Sequence, residues 1–328
     1  MIASEDLDPQ ATAGGTISRR NVRFADLPDG APAFFPLIVI AGAKPGPTAA
    51  LIGGIHGDEY EGPSALWRIA DTIDPAALSG RLLIVPIANL PAFSVGSRTS
   101  PVDGQNLARI FPGDASGTLS FRLAHCLFER LVAKADFLVD CHSGGVRLGF
   151  LDVAGFYAAG DGIAPHAAAA SFALARDMGL AHLWRLPSRP GVLSYEATRR
   201  GIPATGGEIG GRGGLLQTEV DGYFDGIRRI LAARGMIAPP PGLKAAPRYE
   251  SHLEGDWQLA PVGGFIDNHV ALGQRVAKGA MLATIRSPLG ETLSTMRAPF
   301  DGLVMGVRHL RMIAPGEWAT CVVRERSL

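Results

Sequence analysis

Cysteine is scarce in this chain, neither sign of charge is in excess, and no apolar run is long. The 328 residues hold three cysteines, Cys126, Cys141 and Cys321. They are too few and too scattered for a disulfide framework, and no C-x-x-C pair occurs. Lysine plus arginine equals aspartate plus glutamate at 31 each, so the basic excess expected of a nucleic-acid or membrane-surface binder is missing. No apolar stretch approaches the ~20 residues of a membrane-spanning helix. The opening "MIASEDLDPQATAGG" is polar and acidic and lacks the charged-then-apolar pattern of a secretory signal. The expectation is a soluble, cytoplasmic protein with a small-molecule partner, no nucleic acid and no membrane. Homo-oligomerisation stays open.

Apolar residues make up 47% of the chain, enough for a sizeable core. Four short apolar runs end in turn signals: "FFPLIVIAG" (34–42), "PTAALIGGIHG" (47–57), "GRLLIVPIAN" (80–89) and "ADFLVDCHSGG" (135–145). Runs of this kind suit strands buried on both faces. Helical spacing separates them, with Leu66, Ile69, Ala70 and Ile73 in one segment and Leu119, Leu123, Cys126, Leu127 and Leu131 in another. Two more helical segments, around 167–179 and 220–235, carry the alternation onward. The pattern predicts an α/β domain over residues 1–240, a mixed sheet flanked by helices. "MIAPPPGLKAAP" (236–247) reads as a stiff linker. Residues 248–328 show turn signals every eight to twelve residues and predict a small all-β module. Its phrases "LGQRVAKGAMLATI" and "APFDGLVMGV" resemble barrel-sandwich carrier modules. The carrier's lysine is missing from the hairpin tip "SPLGE", so a lid or assembly role is expected instead.

"GGIHGDEYEG" (53–62) places His56 and Glu59 at a strand-to-helix junction, where α/β folds build their sites. Their spacing of three brings both side chains to one side of the turn, half of a tetrahedral zinc site. "FLVDCHSGG" (137–145) ends a strand at His142, aimed at the same sheet edge. Asp140 shares its face by the period of two and can orient the imidazole. A His56, Glu59 and His142 set leaves one position free, as catalytic zinc sites require. Glu208, in the glycine-rich "PATGGEIGGRG", is a candidate to move a proton beside the metal. Arg98 and Arg109 lie in "GSRTSPVDGQNLARIFPG" (96–113), and arginine forks suit carboxylates and oxyanions. Asp58 and Glu61 read as capping or surface acids rather than ligands, with Asp58 placed to contact the loop around the metal, and the other histidines read as structural.

In this order, "HGDE", "R-x-(S/T)-P-x-D-G-x-N-L-x-R-x-F-P-G", "D-x-H-S-G-G" and "E-I-G-G" resemble the succinylglutamate desuccinylase/aspartoacylase family, relatives of the zinc carboxypeptidases. Within it the chain is most similar to the branch that deacetylates N-acetylated diamino acids. The resemblance implies a carboxypeptidase-like fold and one Zn2+ per subunit on His56, Glu59 and His142. It implies Glu208 as general base and then acid, Arg98 as oxyanion stabiliser, and Arg109 on a substrate carboxylate. The activity implied is removal of an acyl group from an N-acylated amino acid or diamino acid. A zinc carboxypeptidase of small peptides and a non-catalytic metal-binding relative are the alternatives. One position departs from the pattern. The family's Asn before the second arginine is Ala108 here, and Asn106, two residues earlier, is the candidate to compensate at the substrate carboxylate.

Overall fold

The computed structural model describes residues 1–328. The amino-terminal half contains β1 (Ile2–Ala3), β2 (Thr16–Asp26), β3 (Pro32–Ala41), β4 (Lys44–Ile52), α1 (Glu61–Thr72), β5 (Ser79–Val85), α2 (Leu90–Ser94), α3 (Leu119–Cys126) and β6 (Phe137–His142). There follow β7 (Leu148–Phe156), α4 (Pro165–Met178), β8 (His182–Arg185), α5 (Leu193–Arg199), β9 (Ala204–Gly211) and α6 (Gln217–Ala233). After the proline-rich segment come only strands: β10 (Ser251–Leu259), β11 (Gly264–Asn268), β12 (Arg275–Val276), β13 (Met281–Arg286), β14 (Thr292–Arg297), β15 (Gly302–Arg308), β16 (Met312–Ile313) and β17 (Trp318–Ser327). The four apolar runs are β3 to β6, and the mixed sheet flanked by helices is present as the sequence led one to expect. The segment expected as one helix over 119–135 departs from α geometry after Cys126, passing through a π turn (Leu127–Leu131) and a 3₁₀ turn (Val132–Lys134).

Parallel pairing runs through the centre of the sheet in the order β5, β4, β6, β9. Successive residues of these strands enter two different cores. Ala49 and Leu51 of β4, with Val139 and Cys141 of β6, face the core under α1, α4 and α6. Ala50 and Ile52, with Leu138, face the core that takes in residues of α3 and α5. This is the period-two alternation of a strand covered on both sides, and it explains why the runs carry no polar stripe. It also puts Asp140 and His142 on the Leu138 face. At the carboxyl end of that face the sheet leaves room for a site.

The strands after residue 250 do not stand apart from this sheet. β10 pairs in parallel with β8, then antiparallel with β17. β17 pairs with β15, and β15 returns to β7. Since β7 also pairs with β8, five strands close a ring, β7–β8–β10–β17–β15. Its interior is filled by Phe150, Trp184, Leu253, Trp257, Met305 and Val323, among others. The remaining strands β14, β13, β11 and β16 form a separate small sheet. The hairpin tip at residues 287–291 joins β13 to β14, as expected for the position where carriers hold lysine.

Two strands from before the linker and three from after it share one core, so the parts should not unfold independently. Phe150 meets Trp257 edge-on at 5.2 Å between centroids and is buried. Phe150→Ala is expected to cost about 3–5 kcal/mol. In urea followed by both tryptophan fluorescence and far-UV circular dichroism, one shared transition should move to lower denaturant. Two separated transitions would contradict the shared core.

Candidate metal centre and pocket

The turn from β4 into α1 is packed too tightly for ordinary side chains. Gly54 has φ +60°, and a Cβ at Gly57 would collide with the backbone of Ala92 and Phe93. Around these glycines, His56, Asp58, Glu59 and Glu61 are all buried, none exposed by more than 2%. Buried carboxylates require partners, and each acid has a different one.

Glu59 lies between the two imidazoles. Its Oε1 is 2.7 Å from His56 Nδ1, and its Oε2 is 3.0 Å from His142 Nδ1. Arg98 Nη1 donates to Oε1 at 3.2 Å, and the Ser143 N–H donates to Oε2 at 3.2 Å. The candidate ligand atoms of His56, Glu59 and His142 all lie within 4.8 Å of one another. Burial alone would raise the Glu59 pKa, but His56 and His142 outweigh it and hold the carboxylate well below its usual range. Burial, seconded by Arg98, lowers His56 to about 4, which leaves it neutral with a free lone pair. Burial also opposes charge on His142, yet Asp140 and Glu59 raise its pKa well above the ordinary histidine value.

The outward-facing ring nitrogens are held as well. His56 Nε2 is 3.0 Å from Asn106 Oδ1, and His142 Nε2 is 3.2 Å from Asp140 Oδ1. Asp140 is completely buried and has no other polar side-chain partner. Imidazoles that present one nitrogen inward and offer the other to an amide or carboxylate are characteristic of metal ligands. Two nitrogens and one carboxylate, with a second buried acid behind, fit a divalent cation such as zinc. Tyr223 fixes the end of β6 by accepting from the His142 N–H at 3.0 Å and donating to the His142 carbonyl.

Asp58 and Glu61 are buried rather than surface acids, and Glu61 does serve the start of α1, its Oε2 accepting from the Tyr60 N–H at 3.1 Å. Asp58 Oδ2 accepts from the Val146 N–H at 3.2 Å, pinning the loop that follows His142. Glu61 Oε1 accepts from the Gly211 N–H at 3.0 Å, pinning the end of β9. The opening turn thus ties together the three chain segments that bear His56, His142 and Glu208. Sequence alone could not show this, because the partners are backbone amides far along the chain.

Glu208 sits on β9 directly opposite His142 in the parallel register. Its Oε2 is buried and has no hydrogen-bond partner. Burial, with Glu59 and Asp140 adding to it against His142 and Arg98, raises its pKa to about 8. The pocket beside it is lined by His56, Arg98, Arg109, His142, Arg189 and Trp318, among others. Arg109 is held by its own chain, its Nη1 donating to the Ala108 carbonyl at 2.7 Å. Burial, then Arg98 and Arg189, lowers its pKa to about 10. Asn106 uses its side-chain oxygen locally, near His56 and on the Ala108 N–H at 3.0 Å, and the residue also lines a cavity with Arg98, Arg109 and Trp318. Arg189, which pairs with Asp256, and Trp318 both line the pocket, and neither drew notice in the sequence. The first lies in an irregular loop, the second at the start of the last strand.

An α/β sheet with two histidines and a glutamate converging at its carboxyl edge places donor atoms that could hold a divalent cation. Residues 45–234 match the succinylglutamate desuccinylase/aspartoacylase catalytic domain, and the chain belongs to that family. A stretch of 109 residues is 46% identical to the N-alpha-acetyl-L-2,4-diaminobutyric acid deacetylase of Halomonas elongata, covering 33% of this chain and 32% of that enzyme. The match therefore spans about a third of the curated relative's length. The product-bound structure of the ectoine utilization protein EutE (DoeB) from Ruegeria pomeroyi is 30% identical, with a TM-score of 0.85 over 96% of this chain and 98% of that one. A succinylglutamate desuccinylase/aspartoacylase structure from Rhodobacter sphaeroides is 27% identical, with a TM-score of 0.85 over 98% of each chain.

If Asn106 orients His56, its loss should weaken metal binding without unfolding the protein. Asn106→Ala is expected to lower zinc affinity about 10–100-fold, read by competition against a chromogenic chelator. Unchanged zinc affinity, with only substrate KM raised, would return Asn106 to the substrate.

Proposed function

We propose that this protein is a zinc-dependent amidohydrolase that removes the acyl group from an N-acylated amino acid or diamino acid, and that it works in the cytoplasm. The observation that carries the reading is the unpartnered carboxylate of Glu208 set opposite His142, beside a His–Glu–His cluster and two arginines. Family membership and the names of the relatives, a deacetylase and a desuccinylase/aspartoacylase, support the reaction class.

His56, Glu59 and His142 would hold the zinc, with Asn106 and Asp140 orienting the imidazoles. When bound, zinc supplies Lewis acidity and brings the pKa of water towards ~7. Glu208 is the proton carrier. Its Oε2 is held by no hydrogen-bond partner, so it is free to take a proton from the attacking water. It then delivers that proton to the departing amine nitrogen. Arg98 stands next to Glu59 and donates to the oxygen that gains charge as the amide carbonyl becomes tetrahedral. Arg109 has no acid partner and takes the substrate's carboxylate.

Two measurements test this. A panel of N-acetyl, N-succinyl and N-formyl amino acids, with N-alpha-acetyl-L-2,4-diaminobutyrate and dipeptides included, should show hydrolysis of an N-acyl amino acid that a chelator abolishes and zinc restores. Turnover of dipeptides alone would favour the carboxypeptidase alternative. Glu208→Gln should keep full zinc content and lose about 10²–10⁴-fold in kcat. Normal turnover by that variant would remove Glu208 from the chemistry.

A further inference from the structure

Trp318 begins β17, and its indole is the one ring that all three pocket arginines approach. Its centroid is 5.6 Å from the guanidinium carbon of Arg98, 5.7 Å from that of Arg109 and 5.5 Å from that of Arg189. The ring is itself held firmly, stacked on Trp257 with centroids 5.2 Å apart and planes 3° from parallel. Trp257 lies in the core of the closed five-strand ring, so the tryptophan pair is rooted in the shared barrel.

Three guanidiniums at one ring repel one another, and their counter-charges are unequally shared. Arg98 has Glu59, and Arg189 has Asp256. Arg109 is half-buried and has no carboxylate in ion-pair contact; its hydrogen bond goes to the Ala108 carbonyl. The electron-rich face of an indole is a counter-charge for such a cation. It occupies none of the N–H groups that a bidentate carboxylate needs.

We propose that Trp318 is a positioning residue for Arg109, and that through it the carboxyl-terminal β module sets the grip on the substrate's carboxylate. The inference rests on the N-acyl amino acid reading above. The ring keeps the guanidinium in the pocket with its remaining N–H groups free, while Arg98 and Arg189 are drawn to the same ring and to their own acids. On this account the β module belongs to the recognition machinery, beyond serving as a cover.

The test separates binding from turnover. In a Glu208→Gln background, which leaves the substrate intact, binding of N-alpha-acetyl-L-2,4-diaminobutyrate and of N-acetyl-L-aspartate is measured by calorimetry. Trp318→Leu should weaken binding about tenfold, whereas Trp318→Phe should stay within about threefold of the parent. Zinc content should be the same in all three. In an Arg109→Ala background the further change Trp318→Leu should add less than about twofold, because the two residues act as one unit. Undiminished binding in Trp318→Leu, or a full additional loss in the Arg109→Ala background, would overturn the proposal. Compounds that bind the parent but that the native chain does not hydrolyse would sink the deacylase reading and leave the assignment of Trp318 standing.

Discussion

The structure of this protein turns on one carboxylate placed between two imidazoles. Removing a charged carboxylate from water costs several kcal/mol unless partners replace the solvent. Glu59 has four of them: His56, His142, the Arg98 guanidinium and the Ser143 N–H. Those partners come from three chain segments, so satisfying Glu59 requires the ends of β4 and β6 and the loop bearing Arg98 to meet at one place. Asp58 and Glu61 extend the same logic to the loop after His142 and to the end of β9. A turn of ten residues becomes the knot that fixes the whole carboxyl edge of the sheet. The glycines in it are the condition for that closeness, since the backbone of α2 occupies the space a side chain at Gly57 would need.

The second constraint is the closure of the strand ring. A β module attached only by a linker would move relative to the pocket, and no residue in it could be placed to a fraction of an ångström. Here β15 and β17 hydrogen-bond into a sheet that also holds β7 and β8, and the tryptophans of the module sit in or against the common core. The same strand that completes the ring begins with Trp318, and the strand before it in the ring order carries Asp256. Stability and pocket shape therefore depend on the same contacts. The carrier-like phrases fall on β12, β13 and β15, and the hairpin tip between β13 and β14 bears no lysine.

What the sequence made legible was local. Strands covered on both faces announce themselves as unbroken apolar runs, and β3 to β6 were read on that basis. His56, Glu59 and His142 could be found because each stands at the end of such a run, where side chains point off the sheet. Asp140 could be paired with His142 because a period of two is a fixed property of any strand. Asp58 and Glu61 could be set aside as ligands, but their long-range partners could not be named, being amides 88 and 150 residues away. Arg189, Asp256 and Trp318 carried no signal at all. Each lies in a segment without a motif, and the pairings of β10 with β8 and of β15 with β7 bring Asp256 and Trp318 to the pocket. Asn106 could be placed near Arg109 from the sequence, whereas the turn of its oxygen to His56 and to the Ala108 N–H is decided by a few torsion angles.

Ala108 shows how these constraints combine. An asparagine there would offer a side-chain amide to the arginine that follows it. The alanine is buried and lines the pocket, and its backbone carbonyl takes the hydrogen bond that fixes Arg109. A backbone acceptor cannot swing away, and it leaves the rest of the guanidinium uncommitted. A lost side-chain hydrogen bond is worth ~0.5–1.5 kcal/mol, and a cation over an indole falls in the same range at about 0.5–2 kcal/mol. The two terms are close enough that a ring supplied by the β module can stand in for the missing amide. On that balance, the departure at Ala108 and the presence of Trp318 are two halves of one arrangement. On the proposed role of Arg109, its support comes from a neighbour in space where the family pattern has a neighbour in sequence.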